Sequence, residues 1–304
     1  MRIGVLGPVE AWEDGRELPL GSGRQRALFV LLLLHADEVV SKDRLIDGLW
    51  GERAPRSAAK VLQGYVSQLR RALPPEVIVT RGSGYLLRAV NTDASKFERL
   101  LDEANGQEPW EAAQTLRAAL ALWRGRALAD VEYETWARAE VARLEALRLV
   151  ALEERIEADL RLGEDRRLVP ELEALVAEHP LREGLRAQLM LALYRAGRQP
   201  EALEVYVDLR FRLVDELGVE PSKALRELHQ AILRQDPALD LVAQADDGLV
   251  EMPAEGRADA AFRIGEVDEQ CAGCEPLDVA GERRDQRDRS ERVRQTAGPR
   301  ILTQ

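Results

Sequence analysis

The chain has 304 residues, with 43 Lys and Arg against 54 Asp and Glu, and a formal net charge of -11. This length allows two or three compact domains and argues against a single small module. The negative net charge argues at first against nucleic acid as a partner, because phosphate binding draws on clustered basic residues.

The basic residues are nevertheless concentrated near the N-terminus. Residues 1–92 hold 13 Lys and Arg against 10 Asp and Glu, and residues 40–90 hold 9 against 4. The rest of the chain therefore carries a net charge of -14. A nucleic-acid surface is therefore expected in this basic segment.

Membrane insertion and disulfide bonding are both argued against by the sequence. It holds no run of about 18 apolar residues, and it opens on a strand pattern rather than a secretory signal. We therefore expect a cytoplasmic, nucleoid-associated protein without a membrane partner. Cys271 and Cys274 are the only cysteines. No second cysteine pair or nearby His accompanies them, so neither a disulfide framework nor a zinc site is expected.

The first elements in chain order are predicted to be strands. Alternating apolar residues over positions 3–11 predict a short strand. Residues 18–20 predict a second strand, which follows the turn-forming pair Asp14 and Gly15. A small N-terminal sheet is the simplest arrangement of these two segments.

Three helices and a hairpin follow. The helices are predicted over residues 24–35, 42–50 and 58–73, and the hairpin over residues 78–87. Ser41 is a natural N-cap for the second helix, and Gly51 ends it. Pro74 closes the third helix sharply. Strands, three helices and a hairpin in this order are typical of a winged helix-turn-helix.

The third predicted helix has two different faces on a helical wheel. One narrow sector is apolar and consists of Leu62, Val66, Leu69 and Leu73. The opposite side and its flanks carry small, polar and basic residues, namely Ser57, Lys60, Gln63, Gly64, Ser67, Gln68, Arg70 and Arg71. Gly64 costs about 1 kcal/mol of helix propensity, which is easier to explain if something must approach the backbone there.

Two interpretations of this helix are equally good when it is taken alone. It fits the DNA major groove, where Gln pairs with adenine and Lys or Arg with guanine at roughly 1 to 3 kcal/mol of discrimination. It is also what a solvated amphipathic helix looks like. The hairpin favours DNA, because Gly82 and Gly84 allow a tight turn that leaves Arg81 projecting toward a phosphate or the minor groove. Tyr85 and Leu87 are expected to pack inward.

From residue 93 to about residue 236 the pattern is almost wholly helical, with apolar residues at spacings of three and four. Seven helices are predicted, over residues 94–104, 110–123, 135–162, 166–178, 181–196, 200–216 and 221–234. The spacing of a tetratricopeptide unit is matched by Leu189, Leu193, Gly197, Ala202 and Tyr206. Antiparallel pairs stacked as an α-solenoid are therefore favoured over a four-helix bundle.

No catalytic or cofactor site stands out, and neither a cofactor, a bound metal nor enzymatic activity is expected. The three histidines are isolated, and the carboxylates have Arg at i+3 or i+4, which is typical of solvated helix faces. Trp110, Trp123 and Trp136 lie near predicted helix ends, where they are expected to be core anchors between helices.

The C-terminal segment is dense in Gly, Asp, Glu and Arg and nearly lacks aromatic residues. Such a segment cannot bury enough apolar area to offset its chain entropy, so residues 238–304 are expected to form a disordered tail. The predicted protein is mostly α with a small β component. A winged helix-turn-helix over residues 1–92 is followed by an all-α, tetratricopeptide-like domain over residues 93–237.

Several segments resemble one bacterial family. RQRAL at residues 24–28, VSKDRLIDGLWG at 40–51, YVSQLRRAL at 65–73 and RGSGY at 81–85 resemble the response-regulator-type winged helix of the Streptomyces antibiotic regulatory protein (SARP) family. ALWRG at 121–125, HPLRE at 179–183, residues 189–198 and DELGVEP at 215–221 resemble that family's bacterial transcriptional activation domain. The resemblance covers about residues 1–237.

The resemblance implies a pathway-specific transcriptional activator of antibiotic biosynthesis genes. It would bind direct repeats in double-stranded promoter DNA as two head-to-tail copies, and recruit RNA polymerase through the sigma and alpha subunits. The base-facing positions implied are Lys60, Gln63, Gly64, Ser67 and Gln68. Arg70 and Arg81 match phosphate or minor-groove positions, and Arg71 lies on the same helix face.

Two other functions remain open at this point. A protein-interaction adaptor would bind peptides through its helical repeats and use the N-terminal domain only as structure, in which case the face holding Lys60 and Arg71 would be neutral or buried. An enzyme would need a cleft with converging polar groups, and no motif indicates one.

Overall fold

A computed structural model describes residues 1–88 and 90–240 of the chain. Its strands are β1 (Arg2–Gly4), β2 (Glu10–Glu13), β3 (Arg16–Glu17), β4 (Val40–Ser41), β5 (Ile78–Arg81), β6 (Gly84–Leu87) and β7 (Asn91–Thr92). Its helices are α1 (Gly23–Leu33), α2 (Lys42–Trp50), α3 (Ala58–Ala72), α4 (Asp93–Ala104), α5 (Pro109–Leu120), α6 (Arg138–Arg161), α7 (Asp165–Glu178), α8 (Glu183–Arg195), α9 (Gln199–Arg212) and α10 (Lys223–Arg234). The prediction of a mostly α protein with a small β component is confirmed.

The described part of the chain reaches Asp240. Residues Pro237–Leu239 form a 3-10 turn, and the Arg195 Nε donates a hydrogen bond to the Leu239 carbonyl at 2.7 Å. Residues 241–304, which include Cys271, Cys274 and nearly all of the segment expected to be disordered, lie outside the described residues.

The N-terminal sheet has the strand order β3-β2-β1-β7. The segment predicted as one strand forms two, since β1 and β2 pair antiparallel with Ile3 opposite Ala11. The turn at Asp14 and Gly15 is confirmed, with φ values of 49° and 79°. The strand predicted after this turn is present but lies two residues earlier than residues 18–20, since β3 is Arg16–Glu17; the Leu18 amide still donates to the Ala11 carbonyl at 2.8 Å, and Leu20 is buried in the core.

The winged helix-turn-helix is confirmed, with α1, α2 and α3 packed together beside a three-stranded sheet of order β4-β6-β5. The Ser41 hydroxyl caps α2 by accepting from the Arg44 amide at 3.2 Å. The two-residue strand β4 was not predicted, and it explains Gly84. A Cβ there would lie 2.2 Å from the Val40 carbonyl oxygen, so Gly84 is needed for strand pairing, while Gly82, at φ 54°, makes the turn.

All seven helices of the second region lie where the apolar spacing predicts them. In the pair with the tetratricopeptide spacing, Leu189, Leu193, Ala202 and Tyr206 are buried, and Gly197 between α8 and α9 has a φ of 81°. The tetratricopeptide-like packing of this pair therefore agrees with its sequence pattern. Helix α9 passes directly into a π-helical turn, Leu213–Leu217.

The described residues have two hydrophobic cores, and neither ends at residue 92. The first core runs from Ile3 to Ala151, so the winged helix shares it with α4, α5 and the first half of α6. The second core runs from Ile156 to Ile232. Helix α6 contributes to both cores and joins them.

Polar contacts tie the winged helix to the α5–α6 connection. The Asp130 carboxylate accepts from the Val9 amide at 2.6 Å and pairs with Arg26 of α1 at 2.7 Å. The Trp136 Nε1 donates to the carbonyl of Gly48 in α2 at 2.9 Å. These bonds hold the winged helix on the first helices of the second region.

The three tryptophans predicted as core anchors differ. Trp123 packs edge-on against the buried Phe97, with ring centroids 5.4 Å apart, and Trp136 is half-buried against α2. The prediction was wrong for Trp110, which is 60% exposed. It lies in the first turn of α5, one turn before Ala113, the first buried residue of that helix.

Candidate DNA-binding surface

Helix α3 is held by its apolar stripe. Ala58, Leu62, Val66 and Leu69 are buried against the other helices of the winged helix, and Leu73 ends the helix inside the core. The predicted separation of faces is therefore present in the folded chain. Because one side of α3 is fixed in the core, the opposite side must face solvent.

The outward side of α3 carries Lys60, Gln63, Gly64, Ser67 and Arg71, and all five are exposed. Neither Lys60 nor Arg71 has a carboxylate within 4.0 Å among the residues that the structure describes. The face is thus neither buried nor neutralised by its neighbours. It presents two uncompensated cations and several hydrogen-bonding groups in a single row.

Gly64 has no structural reason to be glycine inside the chain. A Cβ at this position would meet no atom within 4 Å, and its φ is not in the left-handed region. By contrast, a Cβ at Gly48 in α2 would lie 2.7 Å from the Leu31 Cδ2. Internal packing therefore explains Gly48 and leaves Gly64 open to close approach from outside.

Gln68 lies at the edge of this face and touches α1. Its side-chain oxygen accepts from the Gln25 amide group, and Gln25 in turn accepts from the Ser22 amide at 2.7 Å as part of a capping box. Gln68 is still exposed. The contact places it between the outward face of α3 and the N-terminus of α1.

Arg70 points toward the hairpin rather than along the row. Its Nε donates to the Ile78 carbonyl at 2.9 Å, its NH2 donates to the Thr80 hydroxyl at 2.8 Å, and its guanidinium lies 5.8 Å from the Tyr85 ring centroid. These contacts fix the hairpin against α3. None of these three partners is a carboxylate, so they orient the Arg70 guanidinium without compensating its charge.

Arg81 is the last residue of β5 and is exposed beside the two-residue loop. As predicted, Tyr85 and Leu87 pack inward from β6 and are buried. Arg81 pairs with Gly84 across the hairpin, so its side chain is carried at the tip of the wing. No carboxylate lies within 4.0 Å of it in the described ranges.

Further cations surround this face that sequence reasoning missed. Arg53 and Arg56 are exposed in the connection between α2 and α3. Arg24, at the start of α1, lies 5.7 Å from the Trp50 ring centroid, and Trp50 stacks on Tyr65 of α3. The basic run before α3 was visible in the sequence. The Arg24 contact was not, because it joins residues 26 positions apart.

Other kinds of site find little support in the described part of the chain. It holds no group of three or more His, Cys, Asp or Glu placed to bind a metal ion. None of the helices described combines the length and apolar character needed to cross a bilayer.

Comparison with known families agrees with this architecture. Residues 15–87 match the family described as "Transcriptional regulatory protein, C terminal", and residues 92–233 match the "Bacterial transcriptional activator domain". A DNA-binding winged helix followed by a helical activator domain defines a class of bacterial transcriptional regulators.

Relatives place the chain within that class. Regulatory protein DnrI of Streptomyces peucetius is 45% identical over 259 residues, which cover 79% of this chain and 94% of DnrI. The chain belongs to the Streptomyces antibiotic regulatory protein family. Regulatory protein AfsR of Streptomyces coelicolor is 47% identical over 246 residues, but the chain spans only 25% of AfsR.

A solved structure shows the same fold. Mycobacterium tuberculosis EmbR, in complex with a low affinity phosphopeptide, has a TM-score of 0.71 and 33% sequence identity. The match covers 78% of this chain and 65% of EmbR. The relative arrangement of winged helix and helical repeats therefore recurs in a second regulator.

Proposed function

We propose that this protein is a sequence-specific transcriptional activator of antibiotic biosynthesis genes, which binds direct repeats in promoter DNA as a homodimer and recruits RNA polymerase. It would act in the cytoplasm, where the promoter lies. The observation that carries the proposal is the outward face of α3, which is exposed, uncompensated in charge and open above Gly64. The family membership supports the same function.

Base recognition is assigned to the row on α3. Lys60 and Gln63 have the donors and acceptors that read guanine and adenine in the major groove. Gly64 and Ser67 have small side chains, which let the centre of the helix approach the floor of the groove closely. Gln68 is assigned to the flank of the same groove, where its amide remains able to reach a base edge while its oxygen faces Gln25.

Phosphate contacts are assigned to the cations around this row. Arg71 extends the row, Arg81 projects from the wing, and Arg70 supports the wing while adding charge. Such contacts set register and affinity without reading sequence. Arg53 and Arg56 join this set, since they are exposed beside the N-terminus of α3.

The contacts with protein partners are assigned to the helical region. Val207, Phe211, Val214 and Leu217 are each exposed by 46% or more, and their spacings of four, three and three residues place them on one side of α9 and its π-helical turn. Exposed apolar groups of this size mark protein interaction surfaces. We assign this stripe to the contact with RNA polymerase.

The test is fluorescence anisotropy on a promoter fragment with two direct repeats, beside a scrambled fragment. Arg81→Ala is expected to weaken binding to both fragments similarly, whereas Lys60→Ala or Gln63→Ala should reduce the preference at particular base pairs. Each lost base contact should cost about 1 to 3 kcal/mol. Arg138→Ala, an exposed cation on α6, is the matched control and should bind as the wild type does.

The same experiment distinguishes DNA binding from the function of a protein-interaction adaptor. If Lys60→Ala, Gln63→Ala and Arg81→Ala all bind the repeats as the unmodified protein does, the helix and wing are not the DNA surface. Phe211→Ser separates the second part of the proposal, since it should abolish activated transcription in vitro while leaving anisotropy unchanged. Loss of both would mean that the substitution disturbs the fold.

A further inference from the structure

A cleft of about 450 Å³ lies where the N-terminal sheet meets the start of α4. It is walled by β1, β2, β7, α4 and the α5–α6 connection. The side chains that matter here are Arg2, Trp12, Ser95, Lys96, Arg99 and Arg124. No residue of α3 or of the hairpin lines it, so the cleft is separate from the DNA-binding surface.

The lining of this cleft is strongly basic in a chain whose net charge is -11. Four cations line it with one carboxylate, that of Asp93, while Glu10 and Glu103 pair with Arg124 and Arg99 from outside the lining. Asp93 is buried, and its oxygens accept from the Val5 amide at 2.7 Å and from the Arg124 NH2 at 2.9 Å. Its charge is therefore used inside the fold and does not neutralise the mouth of the cleft.

Two of the four cations have no carboxylate partner in the part of the chain that the structure describes. Neither Arg2 nor Lys96 lies within 4.0 Å of an acidic oxygen in residues 1–88 or 90–240. Both side chains are exposed. Arg2 is held 4.9 Å from the centroid of the Trp12 ring, which fixes the guanidinium without cancelling its charge.

The back of the cleft is built around Arg124. Its guanidinium lies 5.3 Å from the same Trp12 ring and is bonded to Asp93 and Glu10. A Cβ at Gly4 would lie 2.1 Å from the Arg124 NH2, so only glycine in β1 leaves room for it. The N-terminus of α4, capped by Thr92, adds the positive end of a helix dipole.

We propose that this cleft binds a small organic phosphate through its phosphate group. A phosphate dianion accepts charge-assisted hydrogen bonds from several donors at once, and Arg2 offers them from β1 while Lys96 and the Ser95 hydroxyl offer them from α4. The volume falls within the range of small-molecule sites, which leaves room for an organic group beyond the phosphate. The sequence has no glycine-rich phosphate loop, so side chains must supply the recognition. This site goes beyond the proposed DNA function and does not depend on it.

The experiment is calorimetric titration of the full chain with adenosine monophosphate, inorganic phosphate and, as the phosphate-free probe, adenosine. Adenosine monophosphate should bind and adenosine should not. Lys96→Ala and Arg2→Ala should each weaken binding about tenfold, the loss of one charge-assisted hydrogen bond. Lys96→Arg should retain most of the affinity, and Arg138→Ala, an exposed cation outside the cleft, should change it less than about twofold.

Each outcome decides the proposal. Tighter binding of adenosine monophosphate than of inorganic phosphate supports an organic phosphate, and equal binding supports a site for the phosphate group alone. An equal loss in Arg138→Ala and Lys96→Ala would mean diffuse attraction to the surface and would overturn the site. Failure of both phosphate probes to bind at millimolar concentration would also overturn it. Because the readout contains no DNA, failure here leaves the DNA-binding function standing.

Discussion

The winged-helix region and the helical region differ in how often their Lys and Arg side chains pair with a carboxylate. Among the described residues, 16 of the 21 Lys and Arg in residues 93–240 lie within 4.0 Å of a carboxylate. Of the 13 in residues 1–92, one does so within the described ranges, and its partner, Asp130, belongs to the helical region.

The cations of residues 1–92 are positioned by other means. Arg24, Lys42 and Arg70 lie within 6.0 Å of the centroid of an aromatic ring, and Arg70 also donates to a carbonyl and a hydroxyl. A ring or a neutral acceptor orients a cation and leaves its charge available, whereas a carboxylate cancels it. The helical region therefore compensates most of its basic side chains, within a helix or between helices, whereas the winged helix leaves most of its own uncompensated, as the proposed contact with DNA phosphates requires.

The largest expected effect is a loss of stability at the most buried ion pairs of the helical region. Asp159, 2% exposed, joins Arg117 of α5 at 2.5 Å to Arg155 at 3.1 Å. Asp159→Asn leaves the buried Arg155 with one acidic partner among the described residues, Glu171. We expect a loss of about 3 to 5 kcal/mol in the free energy of unfolding, measured by urea denaturation.

Lys60→Ala is the matched control for that experiment, because Lys60 has no carboxylate partner in residues 1–88 or 90–240. It should change the free energy of unfolding by no more than about 0.5 kcal/mol. A loss below about 1 kcal/mol in Asp159→Asn would show that the arginines of the helical region contribute as little as ordinary surface pairs. The contrast between the two regions would then not hold.

The second effect concerns the uncompensated cations. If four to six of them meet phosphates, the logarithm of the DNA-binding constant should fall against the logarithm of salt concentration with a slope of about -4 to -5. That corresponds to roughly a 10²- to 10³-fold loss of affinity between 50 and 200 mM salt. The measurement is anisotropy at a series of salt concentrations.

Two variants sharpen the salt experiment. Arg81→Ala should make the slope shallower by about one, whereas Arg161→Ala should leave it unchanged. Arg161 is exposed on α6 and already paired with Glu157 at 3.3 Å. A slope near zero for the wild type would contradict the assignment of the free cations to DNA.

Local patterns were enough to predict most of the fold. The seven helices after residue 93, the Ser41 cap and the two faces of α3 all follow from periodicity and capping, which act within a few residues. The two-residue strands β4 and β7 were missed because each is defined by a partner far along the chain, Tyr85 for Val40 and Arg2 for Asn91. Two residues carry no periodicity.

In the candidate site too, the features set by local spacing could be predicted and those set by packing between elements could not. The row from Lys60 to Arg71 could be predicted because it lies on one helix with a regular spacing. The attachment of Arg70 to the hairpin, and of Gln68 to Gln25, depends on how separate elements pack. The continuation of the first core past residue 92 was hidden for the same reason, since Phe97 and Leu144 reach it only in the folded chain.

The third effect separates stability from function at one residue. Gly64→Ala should raise the free energy of unfolding by about 1 kcal/mol, because alanine is the better helix former and a Cβ there meets nothing. The same change should weaken DNA binding, measured by anisotropy, because the added methyl group stands in the docking row. The expected signs are therefore opposite.

Gly48→Ala in α2 is the matched control. It is also a helical glycine, but its Cβ would crowd the buried Leu31 at 2.7 Å, so no gain in stability is expected. Gly64→Ala protein that is more stable and binds the direct repeats as tightly as the wild type would show that nothing approaches the backbone at this point. The outward face of α3 would then have to dock through its longer side chains alone.

The smallest effect concerns the pH dependence of stability that the His229 imidazole contributes to the helical region. His229 stacks on Tyr206 with ring centroids 3.9 Å apart, and burial lowers the pKa of its imidazole below the ordinary value. The neutral ring is therefore favoured in the folded state. As pH falls below about 6.5, the unfolded chain binds the proton first, so the stability from this group is lost as pH falls through the folded pKa.

His229→Gln should remove that loss. The difference in free energy of unfolding between wild type and variant should be constant above about pH 7, where the imidazole is neutral in both states, and should shrink on acidification. A difference that stays constant down to pH 5 would mean that the imidazole is as well solvated when charged in the folded chain as in the unfolded one. In that case the contact with Tyr206 would be equally favourable for the charged and the neutral ring.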